Sequence, residues 1–259
     1  MNNIEEDFAL ILTATVLPAP GLAALTRSSA TIREADYLSA FDYYLHNHPR
    51  IRNLVFVENS GWPLDKFKRA ASLNPLGKRV EIVSLSINDF PPARGKSYGE
   101  LSLLKHGVAA SEVLSKTKYV AKVTGRLILR NITDIVERLP VEFDLACDLR
   151  DHPLYEIMGL HARGRYSDTR FLIFHRDYFL SHIDEGLEWV DDSQKRLVEY
   201  WVYDLAKAEE NKKVVKRFPV EPRFSGVSGA LNRPYGSGVD RAKTLFRALA
   251  RRIIPWLHI

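Results

Sequence analysis

Phe8-Ala9-Leu10-Ile11-Leu12-Thr13-Ala14-Thr15-Val16 is a nearly unbroken apolar run about one strand long. A strand that is apolar on both of its alternating faces belongs in a sheet covered on both sides. Pro18, Pro20 and Gly21 end it. The same pattern repeats further along the chain. Residues 33–46 carry Tyr37, Phe41, Tyr44 and Leu45 at helical spacing and stop before Pro49. Residues 53–61 predict a second buried strand that closes in the polar turn Glu58-Asn59-Ser60-Gly61. Residues 64–72 predict a short basic helix, 79–85 a third strand, 95–115 a glycine-containing loop that becomes a helix, and 118–125 a fourth strand. Strands alternating with helices imply βαβ units, hence an α/β fold on a mostly parallel sheet. The second half is less regular. Residues 143–148 and 169–174 read as strands. Residues 191–208 read as a helix capped by Asp191, Asp192 or Ser193, and 225–229 as a small-residue loop. No repeat or linker divides the chain.

Composition narrows the classes. With 46% hydrophobic and 27% charged residues among 259, the chain has a globular balance and is neither fibrous nor wholly disordered. A single cysteine, Cys147, excludes a disulfide scaffold and a multi-thiolate zinc site. No apolar run approaches the roughly 18 to 20 residues a membrane span needs, and the acidic start predicts no secretory signal. A cytoplasmic protein is expected. Residues 238–259 hold Arg241, Lys243, Arg247, Arg251 and Arg252 against Asp240, which accounts for most of the net charge of +5. The body is near neutral, so no nucleic-acid partner is expected.

Several nucleotide motifs are missing. No Gly-x-Gly-x-x-Gly follows the first strand, no phosphate-loop motif occurs, and no Gly-x-Ser-x-Gly elbow is present. Ligands of open parallel sheets bind beyond the carboxyl ends of the strands. Four such ends carry polar groups: Thr13 and Thr15; Glu58, Asn59 and Ser60; the stretch Arg94-Gly95-Lys96-Ser97-Tyr98-Gly99-Glu100; and Lys122-Val123-Thr124-Gly125-Arg126. A lysine in a glycine-containing loop that enters a helix can cradle an anion, and Arg126 after Gly125 can fork onto a diphosphate. Together these ends predict a site for a nucleotide with phosphates.

These segments resemble those of small bacterial glycosyltransferases of lipopolysaccharide O-antigen and capsule assembly. The resembling stretches are residues 11–16, Arg33 with Tyr37, 55–61, 95–100, Lys122 to Arg126 with Asn131, and 225–229, spread over residues 9–229. The resemblance implies one GT-A-like, Rossmann-like α/β/α sandwich over residues 1–237. In it, residues 1–131 hold a nucleotide-sugar donor and 132–237 shape the site of a glycan or lipid-linked glycan acceptor. Residues 238–259 form a separate basic amphipathic helix. The implied donor-binding residues are Thr13, Thr15, Arg33, Glu58, Asn59, Ser60, Lys96, Lys122, Thr124, Gly125 and Arg126. One departure is informative. The family's usual Asp-x-Asp after the fourth strand is replaced by Thr124-Gly125-Arg126, and no Asp-x-Asp occurs elsewhere. Metal-independent transfer with no cofactor is therefore expected. Lys96, Lys122 and Arg126, and more weakly Arg33, neutralise the leaving diphosphate.

An inverting transfer needs a general base on the acceptor hydroxyl. Asp148 and Glu199 are the leading candidates and Asp168 the third; a retaining transfer would need none. The stripe Leu245, Phe246, Leu249, Ile253 and Trp256 or Leu257, set among cations, predicts that residues 239–259 lie on an anionic membrane. The expected place is the inner face of the bacterial inner membrane. A nucleotidyltransferase and a non-catalytic membrane-peripheral protein are the alternatives.

Overall fold

The computed structural model describes residues 4–21, 27–151, 158, 164–208, 213–227, 234–235 and 238–254. β1 (Phe8–Ala14) is buried along its whole length, and its alternating side chains feed two separate cores. Phe8, Leu10 and Leu12 join the core that holds Tyr37, Phe41 and Tyr44 of the helix Ala30–His46 and Phe67 of Asp65–Ser72. Ala9 and Ile11 join the core built with Leu101 and Leu104 of Gly95–Ala110, Ile183 of Arg176–Trp189 and Val202 of Val198–Ala208. The result is an α/β/α sandwich around one sheet, as the doubly apolar strand requires.

β1 pairs in parallel with β2 (Asn53–Glu58) and β4 (Tyr119–Thr124), and β2 with β3 (Arg79–Ser84). After β4 come β5 (Leu127–Leu129), β6 (Leu145–Ala146), β7 (Leu149–Asp151), β8 (Arg165–Ser167), β9 (Phe171–His175), β10 (Val214–Val215), β11 (Phe224–Val227) and β12 (Pro234–Tyr235). The seven-stranded sheet runs β10-β6-β9-β4-β1-β2-β3 and is parallel except where β9 meets β4 and β6. Because β9 is antiparallel, its entry residues Thr169 and Arg170 lie at the carboxyl end of β4: the Thr124 amide donates to the Arg170 carbonyl at 3.0 Å. A small sheet, β12-β11-β5, stands beside that end, and β7 pairs with β8.

Several expected boundaries move. The strand expected over residues 143–148 is β6 and then β7, split at Cys147 and Asp148. The helix expected from 191 starts at Val198. The Asp191 carboxylate accepts from the Ser193 and Gln194 amides and closes a 3₁₀ turn, and Lys195 ends that turn in the left-handed region at φ 59°. Residues 225–227 lie in β11, paired with β5, while Ser228 and Gly229 fall outside the described residues. The helix Arg176–Trp189 was not expected; it buries Phe179, Ile183 and Gly186.

The C-terminal helix is Gly238–Ile253, and Trp256 and Leu257 lie outside the described residues, as do the side chains of Arg241 and Lys243. Its cations, expected to lie together towards an anionic membrane, do not share one face. Arg251 turns inward, while Leu245, Phe246, Leu249 and Ile253 remain exposed. Among the described residues, no helix is long and apolar enough to cross a membrane.

Candidate active site

A cleft of about 260 Å³ opens at the carboxyl ends of β1 and β4. Thr13 and Thr15 line it from the exit of β1, and Thr124 and Arg126 from the exit of β4. Thr13 and Thr124 are register partners, so both hydroxyl-bearing residues reach the same edge. Gly125 is required there. Its amide donates to the Thr13 carbonyl at 2.9 Å, and a Cβ would come within 2.6 Å of that oxygen. Arg126 follows, with its Nε donating to the Val227 carbonyl at 3.3 Å.

Arg33 also lines the cleft but is already engaged. Its guanidinium donates to the Thr15 carbonyl at 2.8 Å, to the Arg27 carbonyl at 3.2 Å and to the Tyr37 hydroxyl at 3.0 Å. It holds the loop after β1 in place, where a phosphate contact had been expected. The group Glu58-Asn59-Ser60 does not line the cleft. Glu58 is wholly buried, and its carboxylate accepts from the amides of Val16, Ser60 and Trp62 at 3.0 to 3.1 Å. Asn59 accepts from the Thr15 hydroxyl at 2.7 Å, and Ser60 accepts from the Leu17 amide at 3.0 Å. These three residues stitch the exits of β1 and β2 together. A buried carboxylate surrounded by amide donors has spent its hydrogen-bonding capacity on the chain.

Lys96 lines the cleft, but the helix N-terminus it belongs to is not an open anion cradle. The Lys96 amide donates to Asp192 Oδ2 at 2.8 Å, and Gly95 sits at φ 70° with Asp192 packed where a Cβ would be. Arg94 ties the same turn to the Val190 carbonyl at 3.0 Å and to Leu187. Asp192 thus supplies the negative charge that a helix N-terminus attracts.

Lys122, expected on the diphosphate, is fully buried behind the cleft. Its ammonium pairs with Glu100 and donates to the Thr169 carbonyl at 2.6 Å. Glu100 and Glu199 both line the cleft. Burial first, and then the negative charge of Glu100, push the Glu199 carboxyl up to about 7. Asp148 lies elsewhere. Arg251 grips both of its oxygens at 2.8 Å and Arg150 adds a third contact at 2.8 Å. Asp168 pairs with Arg170, whose Nε donates to it at 2.8 Å. Burial would raise the Asp168 carboxyl, but the Arg170 charge overrides it and holds Asp168 well below the usual carboxylate range. Of the three base candidates, only Glu199 lines the cleft, and among the described residues it makes no ion pair.

Asn88, Phe90, Arg170 and Tyr235 also line the cleft and were not singled out from the sequence. Arg170 was readable only as a residue of a strand. Its role depends on β9 running antiparallel, which brings a strand entry to a carboxyl edge. Among the described residues, no group of three or more His, Cys, Asp or Glu could hold a metal ion.

No family model matches the chain, and no curated protein matches it in sequence. Solved structures match in fold. The galactosyltransferase LgtC, in complex with donor and acceptor sugar analogs, is 13% identical with a TM-score of 0.46, over 76% of this chain and 70% of that one. A cytidylyltransferase from Leptospira borgpetersenii is 13% identical with a TM-score of 0.42, over 80% and 74%. Core-mannan synthase A from Aspergillus fumigatus is 11% identical with a TM-score of 0.42, over 82% and 75%. TM-scores below 0.5 leave the chemistry of this chain to its own side chains.

Proposed function

We propose that the protein is a glycosyltransferase that moves a sugar from a nucleotide-sugar donor to a glycan or lipid-linked glycan acceptor. The observation that carries this is one cleft holding Lys96 and Arg126 together with Glu199, a carboxylate left to titrate near neutrality. In the reaction, the bond from the anomeric carbon to the diphosphate breaks, and the acceptor oxygen forms the new bond. The acceptor proton passes to the Glu199 carboxylate, and the charge that develops on the diphosphate falls to Lys96 and Arg126 without a metal. Donor binding falls mainly to residues 1–131 and acceptor binding mainly to residues 132–237, with side chains from beyond each range at the margins of both sites. The reading that the enzyme serves bacterial surface glycan assembly at the inner membrane is supported by the exposed stripe of Leu245, Phe246, Leu249 and Ile253 beside Arg252.

Thermal melting against a panel of nucleotides and nucleotide sugars tests this, first in EDTA and then with magnesium or manganese. A ligand at 100 times its dissociation constant stabilises by about 2.7 kcal/mol. Stabilisation by one nucleotide class in EDTA is expected. Stabilisation only with metal overturns the metal-free reading. Silence across the panel overturns the transferase reading and favours a non-catalytic protein.

A further inference from the structure

A second and larger cavity, about 830 Å³, lies between the C-terminal helix and the small sheet β12-β11-β5. It meets the first cleft at a shared wall. Arg170 and Tyr235 line both cavities, and the Arg170 guanidinium lies 5.0 Å from the Tyr235 ring and 4.4 Å from that of Phe224. Five arginines line this groove, Arg130, Arg150, Arg170, Arg223 and Arg247, against two carboxylates, Asp168 and Glu221. Both acids are held by arginines other than Arg130 and Arg247. Asp168 belongs to Arg170, and Glu221 accepts from Arg251 Nε at 2.7 Å.

Two of the five are left without a carboxylate. Arg130 is exposed at the rim of the groove, 5.9 Å from the Tyr43 ring, and makes no ion pair among the described residues. Arg247 makes neither an ion pair nor a hydrogen bond among them, although it is largely removed from water. Burial, followed by the nearby Arg150 charge, weakens its hold on its proton, while Glu221 and Asp168 oppose this from a distance without pairing with it. A partly buried guanidinium whose neighbouring carboxylates are taken by other arginines is costly unless something else supplies a direct anionic contact. Arg251, one helical turn away, shows what this helix does with an arginine meant for structure: it saturates it with Asp148, Glu221 and the Phe218 carbonyl.

We propose that this arginine groove is the acceptor site, and that the acceptor carries a phosphate or diphosphate seated between Arg130 and Arg247. The proposal rests on the glycosyltransferase reading for the word acceptor, and on the groove alone for the phosphate. The shared wall at Arg170 and Tyr235 brings an acceptor held here to the edge of the donor cleft. Leu245, which also lines the groove and is 73% exposed, places the apolar stripe beside the anion site. A phosphate on a lipid and a phosphate on a soluble glycan would both fit the groove.

Inorganic pyrophosphate is the probe. Calorimetric titration is expected to show two binding events in the unaltered protein. Lys96→Gln weakens one of them. Arg130→Gln and Arg247→Gln each weaken the other by about tenfold, as expected for one charged hydrogen-bonding contact, and together abolish it. Arg247→Lys, which keeps the charge, is expected to retain part of the affinity, and equal melting temperatures exclude misfolding. A single event, or a second event untouched by both glutamine substitutions, overturns the proposal. Nucleotide stabilisation is read separately, so its absence removes the transferase reading and leaves the groove result standing. Vesicles of phosphatidylcholine with phosphatidic acid, compared with phosphatidylcholine alone, identify the source. Binding that depends on phosphatidic acid and is lost in the double variant places the phosphate on a lipid. Vesicle binding unchanged in a double variant that has lost pyrophosphate places it on a soluble acceptor.

Discussion

Two clusters of buried charge in this molecule are built to opposite rules. Around Asp148 and Glu221, two carboxylates face Arg150 and Arg251, and the charges cancel. Around Glu199, two carboxylates share a cleft, and the one lysine behind them, Lys122, sits on Glu100. A cancelled cluster stabilises one arrangement of the chain and has nothing left to offer a ligand. An uncancelled one keeps a proton in play near neutral pH, at a cost to stability. The first cluster docks the C-terminal helix, and the second equips the cleft.

The largest expected effects separate the two. Glu199→Gln keeps the size of the side chain and removes the proposed base, so turnover should fall by about 10²- to 10⁴-fold. Nucleotide affinity, read by melting, should stay within about twofold because the proposed diphosphate contacts are Lys96 and Arg126. A fall in nucleotide affinity equal to the fall in turnover would make Glu199 a binding group instead. Asp148→Asn should do the reverse. It leaves Arg150 and Arg251 short of a buried counter-charge, at a cost of about 3–5 kcal/mol in denaturant unfolding. Turnover per folded molecule should hardly change. Normal stability in Asp148→Asn would mean that the network does not dock the helix.

The next effect follows from pH. Unfolded, Glu199 releases its proton at the ordinary 4.5; folded, it holds it to about 7. Between those values the folded chain binds more protons than the unfolded one. The contribution to stability is therefore full below 4.5, declines as the pH rises and is gone above 7. The loss is on the order of 3 kcal/mol. Glu199→Gln, uncharged at every pH, should melt higher than the unaltered protein at pH 8 and show little advantage at pH 4.5. Parallel melting curves across that window would show that Glu199 ionises normally.

This contrast also explains what could be read from the residues. The sheet was legible because Phe8 to Ala14, Asn53 to Glu58 and Tyr119 to Thr124 are apolar on both faces, a property each segment carries alone. Gly125 and Arg126 were legible as a strand exit for the same reason. Asp148 and Glu199 were indistinguishable in sequence, each a carboxylate beside apolar neighbours. What separates them is the distance to Arg251, 103 positions along the chain from Asp148, and to Glu100, 99 positions from Glu199. The Glu58 turn and Lys122 misled for a related reason. A polar residue at a strand end can face a ligand or the next loop, and only the packed chain decides which.

The smallest effect tests whether the cleft is tuned as a unit. Glu100 raises the proton affinity of Glu199 and Lys122 lowers it, so changing either should move the midpoint of the pH dependence of turnover without removing the base. Glu100→Gln deletes the repulsion and uncovers the lysine, and both changes favour ionised Glu199. The midpoint should move to more acid pH, by about one pH unit, which corresponds to about 1.4 kcal/mol. Lys122→Met leaves Glu100 uncompensated beside Glu199 and should move it toward alkaline pH. Opposite displacements from two substitutions on one ion pair are difficult to produce by general loosening of the fold, which would lower turnover at every pH alike. Displacements in the same direction would break the link between Glu100, Lys122 and Glu199, and with it the reading of this cluster as a deliberately unbalanced counterpart to the one around Asp148.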